Sequence, residues 1–190
     1  MNTGSHSIRT VAQIASIVGA TVASYFNALR APFFFDDTVN IVTNLAIKSL
    51  SNFTSLAQLT DASSYATNLK YATVVRPVTY FSFALNYAVG GDSAFGYHVV
   101  NIAVHLANAL IVFTLTRTLL DTPAFSARRG SRDSMLPPVL EEWAPFFTAA
   151  LFACHPLQTQ AVTYITQRLA SLAALFYLGA VLCHVRWLLR

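Results

Sequence analysis

The sequence predicts an all-α integral membrane protein, with about four transmembrane helices and a long outer loop that carries interfacial helices. Two compositional observations support this fold class. Hydrophobic residues make up 55% of the 190 residues, while charged residues make up only 11%. Soluble domains typically carry about 25% charged residues, so this chain lacks the polar surface that water requires. The third observation is a series of apolar stretches that approach the roughly 20 residues of a membrane-spanning helix.

The first predicted span covers residues 10–29, which carry no charge. Ala15, Gly19 and Ala23 recur at every fourth position, and such a small-residue face favours close packing against another membrane helix. A cleaved signal peptide with Arg9 in its basic region is the alternative interpretation of this segment.

Three further spans are predicted at residues 97–117, 140–154 and 169–187. The second ends at Arg117, and the third begins beside Trp143 at the membrane interface. All four spans are expected to form a single membrane domain that covers the whole chain.

The predicted outer loop, residues 31–96, contains two shorter helical patterns. Residues 47–59 place apolar side chains at three-residue spacing, which indicates a short amphipathic helix. Residues 78–89 are apolar and aromatic but too short to span, which favours a helix lying in the interface.

Basic residues predict the orientation of the chain. Four spans place the N-terminus, the loop of residues 118–139 and the C-terminus on one side, and this side holds seven of the twelve basic residues. Because basic residues in short loops favour the cytoplasmic side, the outer loop is expected to face a periplasm or a lumen. We expect a bacterial inner membrane, or the endoplasmic reticulum if the source is eukaryotic.

Membrane lipid is an expected partner and nucleic acid is not, since no basic groove carries stacking aromatics.

Unusual polar residues gather on the predicted outer side, which a simple membrane anchor does not require. They are Asp36, Asp37, Arg76, His98, His155, Gln160 and Arg168.

The second span adds a polar stripe. His98, Asn101, His105 and Asn108 fall within an arc of about 80° on one helix face. Such a face forms hydrogen bonds between helices or lines a water-filled cavity, and a small carrier or channel component is a third interpretation.

The adjacent carboxylates Asp36 and Asp37 are the candidate catalytic residues. A neighbouring like charge and an apolar wall both raise the pKa of a carboxyl group, as a general base requires. The pair could also bind a divalent cation, or simply cap a helix or begin a solvated loop. Arg76 could clamp a phosphate or lie along the membrane surface. Arg168 has the simpler interpretation of an interfacial anchor, and His155 that of a helix terminator.

Four blocks of the sequence together resemble one family. They are FFFDDTVNIVTN, RPVTYFSFALNYAVGG, FGYHVVNIAVHLANALIVF and HPLQTQAVTYITQR. In this order and spacing they are similar to the membrane glycosyltransferases of the GT-C class, in particular the transmembrane and tetratricopeptide-repeat O-mannosyltransferase-like branch.

The resemblance implies transfer of a sugar from a polyprenyl-phosphate carrier to a hydroxyl acceptor, often on a protein, with inversion at the anomeric carbon. It places the catalytic carboxylate at Asp36 or Asp37, where one deprotonates the acceptor and the other positions the acceptor or a metal. We assign Arg76 and Arg168 to the carrier phosphate. Further substrate-binding candidates are His98, Asn101, His155 and Gln160.

Two features depart from the family pattern. Gln160 stands where the family often has Glu, and glutamine cannot act as a base. No 34-residue repeat is visible either. The chain is therefore expected to be the N-terminal part of a larger transferase, with a non-catalytic membrane scaffold or subunit as the alternative.

Overall fold

The structure is a computed structural model that describes residues 3–55, 76–126 and 137–190, and these residues form helices without any strand. The α-helices are α1 (Thr3–Tyr25), α2 (Pro77–Gly90), α3 (Ala94–Leu120), α4 (Pro123–Ser126), α5 (Pro138–Cys154), α6 (Gln158–Thr163) and α7 (Arg168–Leu188). Shorter helical turns cover Phe26–Arg30, Thr38–Val42, Leu45–Lys48, Leu50–Phe53 and Ile165–Gln167. The predicted all-α membrane-type fold is confirmed.

Within the described ranges, three segments are long and apolar enough to cross a membrane. They are Ser7–Arg30, Ala94–Leu120 and Ile165–Leu188, and they correspond to the first, second and fourth predicted spans. The third predicted span is α5, which has 17 residues and contains Pro145. That α5 crosses the bilayer stays a prediction.

The predicted interfacial helix at residues 78–89 is α2. Pro77 occupies its first position, where a missing N–H costs no hydrogen bond. The helix ends at Gly90, and the following Gly91 has a φ of 59°, in the left-handed region that glycine adopts without strain.

The prediction of an amphipathic helix at residues 47–59 is wrong for the residues of this range that the structure describes. The chain forms two separate 3₁₀ turns there, Leu45–Lys48 and Leu50–Phe53. The side chains of Asn44 and Ser49 accept hydrogen bonds from the N–H groups two residues onward. Each turn therefore has its own N-cap, and the two do not join into one helix. The rest of this predicted helix lies outside the described residues.

The chain divides into two compact units, which we call the first and the second unit. The first comprises Met1–Phe26, Ala103–Gln158 and Ala173–Arg190, and the second comprises Asn27–Ile102 and Thr159–Leu172. That they act as one membrane domain stays a prediction.

In the first unit, α1 packs against α5 around Ile17, Ala149 and Ala153. The small-residue face predicted on α1 is exposed: nothing lies within 4 Å of where a side chain on Gly19 would begin. A different face is buried, and it is the more polar one. Its buried residues are Gln13, Ile17, Thr21 and Tyr25.

The polar members of this buried face explain why it packs inward. Gln13 donates a hydrogen bond to the carbonyl of Glu142, Thr21 to its own helix, and the Tyr25 hydroxyl to the carbonyl of Ala153. Polar side chains in a membrane helix need such partners, while small apolar residues can face lipid without cost. An ion pair between Arg9 and Glu142, at 2.8 Å, also joins α1 to α5.

The second unit has its own aromatic core. Its buried members are Ile41, Ile47, Tyr80, Phe83, Ala84, Tyr97 and Ile165. Helix α2 packs on the two 3₁₀ turns, and Phe53 meets Phe81 edge to face. Lys48 adds an ion pair with Asp92 and lies over the ring of Tyr87. This core supports the segment that contains the two candidate carboxylates.

Candidate functional site

The turn that contains the two adjacent carboxylates has an unusual backbone. Phe35 has a φ of 51°, and it is the one non-glycine residue with positive φ in the part of the chain that the structure describes. Bulky residues adopt this conformation only under strain, and such strain concentrates at functional sites. The two neighbouring carboxylates lie in different environments: Asp36 is exposed, while only 1% of Asp37 is accessible.

Asp37 holds this turn in place. One carboxylate oxygen accepts the N–H of Phe34 at 3.2 Å, and the other accepts the N–H of Thr166 at 2.9 Å. Burial raises the pKa of the Asp37 carboxyl above its ordinary value, and the two backbone hydrogen bonds lower it in part. Asp37 therefore connects the turn to the segment that leads into α7.

Replacing Asp37 with asparagine is expected to lower the free energy of unfolding by about 1–3 kcal/mol, because the amide N–H₂ must face one of two buried N–H groups. The folded pKa lies above the ordinary value of 3.8, so the folded chain binds the proton more tightly than the unfolded chain. The stability contributed by Asp37 therefore falls as the pH rises from this value through the folded pKa. Chemical denaturation of the unmodified protein and of Asp37→Asn at several pH values measures the difference in their free energies of unfolding. A difference that grows as the pH rises would contradict the prediction.

Asp36 has a free side chain on a fixed backbone. Its N–H donates to the Tyr164 hydroxyl at 3.1 Å, and its carbonyl accepts from the Asn40 amide at 2.8 Å. The residue lines a pocket of about 130 Å³ in the second unit. The complete lining is Asp36, Asn40, Arg76, Thr79, Tyr80, Phe83, Thr166, Gln167 and Leu169.

This pocket combines a carboxylate with a guanidinium. Arg76 is exposed at the start of α2, and the Tyr80 hydroxyl donates to the Asn40 side chain at 2.5 Å. Burial raises the pKa of Tyr80, so its hydroxyl remains protonated near neutral pH. A carboxylate that can accept a proton and a cation that can bind an anion thus line the same pocket.

Arg168 is placed differently from Arg76. Its side chain is completely buried and is absent from the lining of this pocket. Its guanidinium donates to the side chains of Asn101 and Asn86, each at 2.7 Å, and to the carbonyl of Tyr97 at 2.9 Å. It also lies 4.6 Å from the centre of the Phe83 ring. With these groups engaged, the geometry gives no support to the prediction that Arg168 binds a phosphate.

His98 and Asn101 also belong to this framework. His98 hydrogen-bonds through Nε2 to the carbonyl of Ala31 at 3.1 Å. The amide of Asn101 donates to the carbonyls of Val162 and Ile165, each at 3.3 Å. Both side chains are buried, so the polar stripe forms hydrogen bonds between segments here, which was the simplest of its interpretations.

The other half of the stripe lies in the first unit and has the same character. His105 hydrogen-bonds to the carbonyl of Ala153 at 3.0 Å and stacks on the ring of Phe152. Asn108 is buried as well. Neither residue lines the pocket that contains Asp36.

The two remaining predicted site residues also lie outside this lining. His155 follows the last residue of α5 in the first unit, and its Nδ1 accepts the N–H of Leu157 at 3.2 Å, as a helix terminator does. Gln160 is exposed on α6 in the second unit. The sequence did not identify Asn40 or Tyr80 as site residues. The available signal was the four-residue spacing between Asp36 and Asn40 within the first block.

A metal site is not supported by the contacts of the carboxylate pair. Both oxygens of Asp37 accept N–H groups, and this residue is buried while Asp36 is exposed. Within the described ranges, no group of three or more His, Cys, Asp or Glu side chains is arranged to hold a metal ion.

Comparison with known proteins supports the predicted family. The chain is 31% identical over 179 residues to a protein O-mannosyl-transferase of Caenorhabditis elegans, which covers 90% of this chain and 22% of that protein. It is 32% identical over 174 residues to the Drosophila melanogaster protein O-mannosyl-transferase Tmtc2, with 86% and 16% covered. It is 29% identical over 177 residues to the human protein O-mannosyl-transferase TMTC3, with 92% and 17% covered.

These relatives come from animals, so the expected preference for a bacterial inner membrane is not supported. No model of a known protein family matches the sequence, and no solved structure matches either. The chain spans about a fifth of the length of the curated relatives that it matches. Over some nine-tenths of its own length, the chain is thus similar to one segment of the transmembrane and tetratricopeptide-repeat O-mannosyltransferase-like proteins, as its four sequence blocks predicted.

Proposed function

We propose that this chain forms part of a membrane glycosyltransferase that moves mannose from a polyprenyl-phosphate carrier to a hydroxyl group of a protein. The observation that carries the proposal is the pocket in which Asp36 and Arg76 occur together. The similarity to proteins named as protein O-mannosyl-transferases supports the reaction class. The three apolar segments support a site near the membrane, where a lipid-linked donor presents its headgroup.

In the proposed reaction, a carboxylate oxygen of Asp36 takes the proton of the acceptor hydroxyl. The hydroxyl oxygen attacks the anomeric carbon while the bond from this carbon to the phosphate oxygen breaks. The bonding electrons leave with the phosphate, and the configuration at the anomeric carbon inverts. Arg76 stabilises the negative charge that develops on the leaving phosphate. Asp37 positions the turn and takes no part in proton transfer.

The proposed compartment is the lumen of the endoplasmic reticulum, on the side to which residues 31–96 are predicted to project. Membrane lipid, the lipid-linked sugar and the acceptor protein are then the partners. Because the chain spans about a fifth of its relatives, other segments of a longer protein would complete the donor groove.

The direct test is a transfer assay on the full-length gene product, purified in mild detergent. Labelled polyprenyl-phosphate mannose is supplied together with a pool of peptides rich in serine and threonine. We expect labelled peptide with the inverted anomeric configuration. If no label is transferred and the protein instead co-purifies with an active transferase, the scaffold alternative replaces this proposal.

Replacing Arg76 with alanine is expected to raise the KM for the lipid-linked donor by about ten-fold or more, because a charge-assisted contact to phosphate is lost. The KM for the acceptor peptide should change little. Arg30→Ala is the matched control, since Arg30 is an exposed arginine of the same unit outside the pocket. Unchanged donor KM in Arg76→Ala would remove Arg76 from the site.

A further inference from the structure

A second pocket lies in the first unit. Its volume is about 480 Å³, and it is lined by Thr10, Ile14, Leu110, Phe113, Thr114, Arg117, Thr118, Asp121 and Arg186. Six of these residues belong to or directly follow α3, at relative positions 0, 3, 4, 7, 8 and 11, which is one face of a helix. The remaining residues come from α1 and α7. All three segments that can span a membrane therefore contribute to it.

The lining separates into an apolar part and a basic part. Ile14, Leu110 and Phe113 provide apolar walls. Arg117 and Arg186 provide two guanidinium groups, each in the last turn of its helix. Apolar walls beside a cationic group match an amphiphile that carries an anionic headgroup.

Arg117 is held in position for this role. One of its terminal nitrogens donates to the hydroxyl of Thr10 at 3.2 Å, and its guanidinium carbon lies 5.7 Å from the centre of the Phe113 ring. These contacts use only part of the five N–H donors of an arginine. Arg186 is exposed, and its side chain makes no hydrogen bond or ion pair with another residue of the described ranges.

A simpler interpretation assigns both arginines to the negative ends of their helix dipoles. That role needs a cation near each helix end, but it does not need both cations to line one pocket with an apolar wall. The shared pocket is therefore the observation that points to a ligand.

We propose that this pocket binds a monoanionic phospholipid, with its phosphate between Arg117 and Arg186 and its glycerol and upper acyl carbons against the apolar walls. The charge of the lining supports a single negative charge: two arginines and Asp121 sum to +1. The predicted orientation places this end of the spans at the cytoplasmic leaflet, where anionic lipids concentrate. The site is independent of the proposed transferase activity, since it shares no residue with the pocket of Asp36.

The test uses the chain purified in neutral detergent and analysed by native mass spectrometry with equal amounts of phosphatidylglycerol and phosphatidylcholine. We expect one phosphatidylglycerol to be retained in preference to phosphatidylcholine. Arg117→Gln and Arg186→Gln should each weaken this retention by about five-fold. Arg190→Gln is the matched control, because it removes an exposed arginine outside the pocket, and it should leave retention within about two-fold.

Three results would overturn the proposal. Equal retention of the two lipids would show that the phosphate charge is not recognised. An equal loss in Arg190→Gln would show general attraction to a basic surface. Displacement of the lipid by millimolar inorganic phosphate would assign the site to a soluble anion. A thermal melt of each variant in the same detergent confirms folding, and the lipid competition on the unmodified chain remains decisive if a variant does not fold.

Discussion

Replacing Arg168 with methionine is expected to lower the free energy of unfolding by about 3 kcal/mol or more, because several buried acceptors lose their donor together. The guanidinium satisfies the side-chain oxygens of Asn101 and Asn86 and the carbonyls of Ser82 and Tyr97. Methionine fills a similar volume but donates no hydrogen bond. Each acceptor left unsatisfied in a buried position costs about 1–3 kcal/mol.

The measurement is equilibrium unfolding in mixed detergent micelles, with Arg190→Met as the control. This exposed residue should change stability by less than about 0.5 kcal/mol. Arg168→Lys should fall between the two, since one ammonium cannot reach acceptors on four residues in the planar geometry of a guanidinium. A stable Arg168→Met variant that loses only donor binding would return Arg168 to the role of a phosphate ligand.

Replacing Asp36 with asparagine is expected to reduce sugar transfer by about 10²–10⁴-fold while stability stays the same. The first effect follows from the proposed role of this carboxylate as general base. The second follows from its contacts, because Asp36 is held by its backbone N–H and carbonyl while its side chain is exposed.

Asp37→Asn is the matched control for this experiment, since it makes the same chemical change one residue away. The Asp37→Asn variant should have a lower free energy of unfolding. Its transfer activity should fall only in proportion to the fraction of protein that remains folded. Transfer rates near those of the unmodified protein in Asp36→Asn would exclude Asp36 as the base. An unfolded Asp36→Asn variant would show that its side chain supports the fold.

Much of the architecture could be predicted because it depends on local composition. Three of the four predicted spans coincide with Ser7–Arg30, Ala94–Leu120 and Ile165–Leu188, since length and hydropathy alone define such segments. Helix α2 was predictable for the same reason, with Pro77 at its start and glycines at its end. The two 3₁₀ turns were not, because side-chain hydrogen bonds of Asn44 and Ser49 outweighed the apolar spacing.

The candidate site was predictable only in part. The sequence identified the acidic pair but could not show that one residue is buried and the other exposed. This difference depends on the backbone conformation of Phe35 and on a hydrogen bond from the N–H of Thr166. It also treated Arg168 and Arg76 as equivalent. Their difference arises from packing between segments that are 67 to 86 residues apart in the chain, which no local pattern encodes.

The burial of Arg168 has a consequence for biogenesis. This cation is the first residue of α7, and its hydrogen-bond acceptors belong to α2 and α3, which leave the ribosome earlier. During synthesis, we expect the start of α7 to carry an unsatisfied cation until it packs against these earlier segments. We therefore expect the start of α7, residues 168–172, to join the second unit only after α2 and α3 are in place.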